Sequence, residues 1–223
     1  MISKESFQFL EDLKNNNYRD WFQANQKRYD EYKKDYRQTV EAFIAEMSKE
    51  DESLSHLEFK DASFRINKDI RFSKDKSPYK THMGIWLCSG NKNTNLAGYY
   101  VHIEKGAGFI AAGVYNPDAA DLKKVRREID GFYEDLEEIV DEAEFKKLFG
   151  SLDSDEKNTL KTAPKDFAKD HPAIQFLKLK SFTASAKIDD KEYSQKDFIK
   201  NTVKKLTVLK PLVEFLNRAL TTE

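Results

Sequence analysis

A single amphipathic stripe runs from Trp21 to Met47, and beyond it the rhythm of the chain changes. Trp21, Asn25, Tyr29, Tyr32, Tyr36, Val40, Phe43 and Met47 advance by fours and threes. That spacing holds them on one face of a helix opening near Asp20 and running for about 25 to 30 residues. The face is aromatic and partly hydroxylated. It suits packing on a sheet with tyrosine tips at the rim; a base-stacking platform is the less favoured alternative. Further on the period falls to two. Phe64 and Ile66 flank Arg65, Met83, Ile85 and Leu87 alternate with Gly84, Trp86 and Cys88, and Tyr99, Val101 and Ile103 alternate with Tyr100, His102 and Glu104. Such alternation marks half-buried strands. Residues 89–95 read as a loop and Gly106-Ala107-Gly108 as a hairpin turn, so consecutive strands must run antiparallel. The stretch 109–115 is apolar or small throughout, as a central strand covered on both faces would be.

Helices flank this middle. Ser3 caps a first helix carrying Phe7, Leu10 and Leu13, which Asn15-Asn16-Asn17 should end through a left-handed residue. Pro117 and Asp118 open a second helical region. Nine acids and no Lys or Arg lie between Glu128 and Glu144, while Ile129, Phe132, Tyr133, Leu136, Ile139 and Val140 keep a helical stripe. The acids therefore form a solvated face. Pro172 favours a short helix at 173–179, and Phe182, Ala184, Ala186 and Ile188 suggest one more strand. Ser194, with Asp197 three residues on, resembles a capping box opening the last helix, which Pro211 must kink or split. The expected fold is a single α+β domain over residues 1–223: a mostly antiparallel central sheet packed by N-terminal, acidic middle and C-terminal helices.

The densest chemistry is FRINKDIRFSKDKSPYKTH at 64–82. It sets six cations, Arg65, Lys68, Arg71, Lys74, Lys76 and Lys80, against Asp69 and Asp75 only, in a chain whose net charge is −1. Phe64, Ile66, Ile70 and Phe72 can anchor the segment, and Ser77-Pro78 forces it out of helical geometry. Cations held in a limited volume suit an anion, Arg as a planar fork and Lys as a mobile point charge. Arg65, Lys68, Arg71, Lys74, Lys76, Tyr79, Lys80 and His82 are the candidate ligand-binding residues. The competing account is a scaffold, in which Arg65 and Arg71 pair with Asp61, Asp69, Asp75 or the acidic helix.

His102 and Glu104 share a strand face, and His82 reaches them if the strands are neighbours. Two imidazoles and a carboxylate could serve a metal or acid–base chemistry, yet no recognised metal-ligand spacing accompanies them and no metal ligand is assigned. Cys88, the only cysteine, lies in an apolar strand and reads as a buried, inert thiol. His171 before Pro172 braces a turn. No phosphate loop, dinucleotide fingerprint or serine-nucleophile motif occurs, so no cofactor is expected. With no signal-like N-terminus, no apolar run long enough to span a bilayer and one cysteine among 223 residues, the chain reads as cytoplasmic, with no membrane partner.

The segment 64–82, the preceding WFQANQKRYDEY, the GYYVHIE strand and the PxxFxxDHP pattern from Pro164 to Pro172 resemble the bacterial family catalogued as domain of unknown function 2461. The resemblance runs over nearly the whole chain. It implies a single α/β domain and no established activity. Arg65, Arg71, Lys74, Lys76, Tyr79 and Lys80 match the family motif. Lys68 stands where the family typically has Arg, and Asp166 where Gly is usual. The leading expectation is binding of a phosphate- or carboxylate-bearing anion at 64–82, a small molecule or nucleic-acid backbone. One alternative is an enzyme using Tyr79, Tyr100, His82 or His102 as acid or base beside those cations. Another is a protein-interaction module, with the acidic helix and the Lys196-Lys200-Lys204 stripe as surfaces and a purely structural basic segment.

Overall fold

The structure, a computed structural model, describes residues 2–90 and 94–222. In chain order the elements are α1 (Lys4–Asn15), α2 (Arg19–Ala24), α3 (Gln26–Glu50), α4 (Phe59–Ala62), β1 (Met83–Leu87), β2 (Gly98–Ile103), β3 (Phe109–Val114), α5 (Ala119–Gly131), α6 (Tyr133–Asp141), α7 (Ala143–Phe149), α8 (Ile174–Leu177), β4 (Phe182–Lys187), α9 (Phe198–Thr207) and α10 (Lys210–Thr221). The four strands form one antiparallel sheet in the order β1-β2-β3-β4. The fold is therefore α+β, and β3 occupies an interior position as its apolar sequence requires. Residues 91–93 of the expected loop lie outside the described residues. No helix among the described residues is long and apolar enough to cross a membrane.

Two compact units divide the chain. One comprises Met1–Leu87, Tyr100–Phe109 and Lys187–Val203; the other comprises Cys88–Tyr99, Ile110–Ala186 and Lys204–Glu223.

In the first unit, the Ser3 hydroxyl accepts from the Ser6 N–H and opens α1 as its sequence predicts. The far end differs from expectation. Asn16 has φ −133°, outside the left-handed region, and its backbone N–H donates to the Leu13 carbonyl. The aromatic stripe is buried from Tyr32 onward, with Tyr36, Val40, Phe43 and Met47 inside; Trp21, Asn25 and Tyr29 are only partly covered, and the helix is interrupted at Asn25. The Asn25 side-chain amide donates to the Trp21 carbonyl at 2.9 Å. A side chain that captures a helical carbonyl offers the backbone an alternative to continuing the helix. Phe9, Phe22, Tyr29 and Tyr32 cluster with ring centroids 4.8 to 6.4 Å apart. Tyr36 ties α3 to the sheet: its hydroxyl donates to the Gly84 carbonyl and accepts from the Phe64 N–H.

Strand structure around Phe64 is slighter than its alternation predicts. Only the isolated bridges Ser63–Ile85 and Asn67–Tyr79 form there. Ile66 is buried, but Phe64 is exposed and Phe72 is 95% exposed, so neither phenylalanine anchors the segment. A residue alternates usefully only where a neighbouring strand supplies a face to bury against.

In the second unit, Asp118 caps α5 through the N–H groups of Ala120 and Asp121. The acidic stretch is not one helix; it breaks at Phe132 and Glu142 into α5, α6 and α7. Its acids remain on the outside except Glu128, whose side chain is 12% exposed; Arg218 of α10 pairs with Glu128 and Asp135 while its guanidinium lies 4.8 Å from the Phe132 ring centroid. Gly113 has φ +128°, and a Cβ there would meet the Phe182 carbonyl oxygen at 2.0 Å. Only glycine serves where positive φ and a close backbone coincide. Cys88 is buried, and burial raises its thiol pKa. His171 braces its turn as expected, accepting from the Ala173 N–H and reaching Asp130.

The C-terminal helices differ from expectation at their start. Asp189 caps a short 3-10 turn at Asp190–Ser194, the Ser194 hydroxyl donates to the Lys191 carbonyl, and α9 begins only at Phe198. Pro211 splits the run as predicted, entering α10 in its first turn, where its missing N–H costs no hydrogen bond.

Candidate functional site

The basic segment is a narrow ribbon. The Lys68 N–H donates to the Pro78 carbonyl at 2.8 Å and the Lys80 N–H to the Ile66 carbonyl at 2.7 Å. Residues 66–68 thereby pair with 78–80 and hold 69–77 as a loop. Asp75 organises the turn, accepting from the Ser77 N–H and hydroxyl. This path sorts the candidate cations. Arg71 folds onto Asp69 in a two-pronged pair, at 3.0 and 2.7 Å. Its side chain and backbone hold the Asp69 carboxyl down to about 2. Lys68 pairs with Asp75 at 3.0 Å and also reaches Ser77. The Lys76 ammonium donates to the Ile70 carbonyl. Among the described residues the exposed Lys74 side chain has no partner.

Arg65 and Lys80 lie at the base of the ribbon, where the Arg65 charge also contributes to holding the Asp69 carboxyl down. The Lys80 ammonium donates to the Arg65 carbonyl at 2.7 Å and sits 5.5 Å from the Phe64 ring centroid. Among the described residues no carboxylate forms an ion pair with either side chain. Burial first, and then the Arg65 charge, lower the Lys80 pKa. Tyr79 sits apart from the other candidates. It is buried and stacked on Phe22, with centroids 4.0 Å apart and planes at 15°.

Beside the ribbon's base the β1–β2 pairing gathers a second group. His82 precedes β1, Tyr100 and His102 alternate along β2, and Glu104 follows its end. The His82 and His102 rings stand 4.1 Å apart. His102 Nδ1 lies 3.1 Å from the Tyr100 hydroxyl, and its Nε2 lies 3.2 Å from Glu104 Oε2. Phe109, the first residue of β3, stacks on His102 at 4.8 Å and 14°. Lys14 and Thr81 both reach Glu104 Oε1, at 3.1 and 3.4 Å. One ligand atom from each of His82, His102 and Glu104 lies within 4.8 Å of the others. Gly84 leaves room for this arrangement, since a Cβ there would meet the Tyr100 hydroxyl at 2.9 Å and the Phe64 ring at 3.2 Å.

The electrostatics follow the geometry. Burial, reinforced by the neighbouring His102, pushes His82 down to about 4, so its imidazole is neutral near pH 7. Burial would raise Glu104, but its contacts with His102 and Lys14 outweigh that and hold it ionised. Burial raises Tyr100, which keeps its proton. The group therefore has two ring systems, a protonated phenol and a carboxylate, at side-chain exposures of 13% for His102 and 16% for Glu104. Lys14, Thr81 and Phe109 had no signal in sequence pattern, because each arrives through tertiary packing.

A family described as "Conserved hypothetical protein (DUF2461)" matches residues 5–215, and the chain belongs to that family. Neither the curated proteins nor the solved structures offer a match.

Proposed function

We propose that this member of the family binds an anionic ligand, bearing phosphate or carboxylate, through Arg65 and Lys80 beside His82. One observation carries the reading: two cations stand close enough for one to depress the other, with no carboxylate paired to either among the described residues. Like charges brought together cost free energy, and an incoming anion recovers it. Arg71 and Lys68, by contrast, already have internal partners and act as braces of the loop. The binding set is thus smaller than the basic segment suggests: Arg65 and Lys80 as principal donors, with Lys74 and Lys76 at the loop as secondary ones. Inorganic pyrophosphate and citrate, titrated calorimetrically at low salt, test it. Arg65→Ala and Lys80→Ala should each weaken the tighter ligand by about tenfold or more, the worth of a hydrogen bond to a charged group. Equal affinity in the wild type and both variants would remove the proposal.

A second reading is favoured by the Tyr100–His102–Glu104 chain of contacts. A phenol, imidazole and carboxylate in line can move a proton on a ligand held by the nearby cations. If so, His102→Gln abolishes turnover of a bound phosphate or carboxylate ester without lowering its affinity.

A further inference from the structure

We propose that His82, His102 and Glu104 form a binding site for a borderline divalent first-row cation of the Zn2+ type. The residue that demands this account is His82. The contact between His102 and Glu104 explains their proximity without a metal. It does not explain His82, a half-buried imidazole whose ring has no hydrogen-bond partner among the described residues, turned against a second imidazole and a carboxylate. Its nitrogen is open to a ligand, and an approaching cation gives it a partner beside the other two donors.

The donor set has the right chemistry and support. Imidazole and carboxylate together suit Zn2+ and its first-row neighbours better than Mg2+ or Ca2+, which prefer oxygen. A cation bound at about 2.0 to 2.2 Å by each donor requires the three atoms to stand roughly 3 to 3.6 Å apart. The three donor atoms already lie within 4.8 Å of one another and draw closer on binding. His102 lies within β2, and His82 and Glu104 directly adjoin the ends of the neighbouring strands β1 and β2. Supporting contacts are also in place. Lys14 and Thr81 occupy Glu104 Oε1, which leaves Oε2 facing the imidazole. The Tyr100 hydroxyl touches the remote nitrogen of His102, as ligating histidines are commonly held. Phe109 covers one face of that ring.

Binding implies a change of tautomer. In the metal-free arrangement that satisfies both contacts, Tyr100 donates to His102 Nδ1 and His102 Nε2–H donates to Glu104. When Nε2 ligates the cation, its lone pair is taken, the proton resides on Nδ1, and Tyr100 becomes the acceptor.

The full chain, freed of any tag, is titrated with Zn2+ against a chromogenic chelator in phosphate-free buffer. One Zn2+ per chain is expected. His82→Ala and His102→Ala should weaken it by about 100-fold or more, and Tyr100→Phe, which removes no ligand, by about 10- to 100-fold. Arg65→Ala and His56→Ala should leave it unchanged, which separates this site from the anion reading. Should an alanine variant fail to fold, histidine side-chain 15N spectra of the wild type decide. Zn2+ must shift the His82 and His102 signals, moving the His102 proton from Nε2 to Nδ1, and leave His56 and His171 alone. Absence of binding, equal binding by the His82→Ala/His102→Ala double variant, or uniform shifts at all four histidines would each overturn the proposal.

Discussion

Asn17 grips Tyr79 by both of its backbone polar groups: its amide donates to the Tyr79 carbonyl at 2.9 Å and its oxygen accepts from the Tyr79 N–H at 3.0 Å. One side chain thus stands in for a neighbouring strand and joins the end of α1 to the returning arm of the basic ribbon. Asn17→Ala should leave both groups of Tyr79 unpaired and destabilise the protein by about 1 to 3 kcal/mol. Urea unfolding measures this, and hydrogen exchange at Lys68 and Lys80 should accelerate with it.

Replacing Gly113 tests the close approach in the second unit. Gly113→Ala puts a methyl into the Phe182 carbonyl at positive φ. Backbone strain and a rigid clash together should cost about 3 kcal/mol or more, seen as a lowered denaturation midpoint or failure to accumulate folded protein.

Tyr36 predicts an alkaline limb. Burial raises its phenol well above the usual 10, more than its contact with Phe64 lowers it. A phenol that folding keeps protonated contributes fully below the unfolded pKa and loses that contribution as pH climbs through the folded one. Stability should therefore fall as pH rises above 10, and less steeply in Tyr36→Phe, in thermal melts across that range.

The arginines of the basic segment should behave differently. Arg71 is exposed and satisfied by Asp69 two residues away. Arg71→Ala should leave the melting temperature almost unchanged, as exposed ion pairs usually do. It should also weaken the test anion less than Arg65→Ala does, and a larger effect at Arg71 would shift the binding set to the loop tip.

Much of the architecture is legible in periodicity, and the misreadings have definite causes. The stripe is buried from Tyr32 to Met47 as its spacing says, while Trp21, Asn25 and Tyr29 are only partly covered, and the break at Asn25 is invisible because the apolar rhythm continues through it. Phe64 and Phe72 look like inward strand residues, but Phe72 is solvent-exposed and Phe64, though its ring lies over Gly84 and Tyr100, stays largely on the surface. Phe132 fits the acidic helix's stripe and instead marks its break, where Arg218 comes to lie near its ring. In the site, charge density is plain from composition, whereas its partition into braces and donors depends on the path of the loop. Two-residue spacing puts His102 and Glu104 on one face, but only strand pairing brings His82 to them.

The division of the chain bears on how the protein can be made and cut. Each compact unit is assembled from three separate stretches, and the last stretch of each begins after residue 186. During synthesis neither unit can close until most of the polypeptide has emerged. No single cut in the chain separates one whole unit from the other.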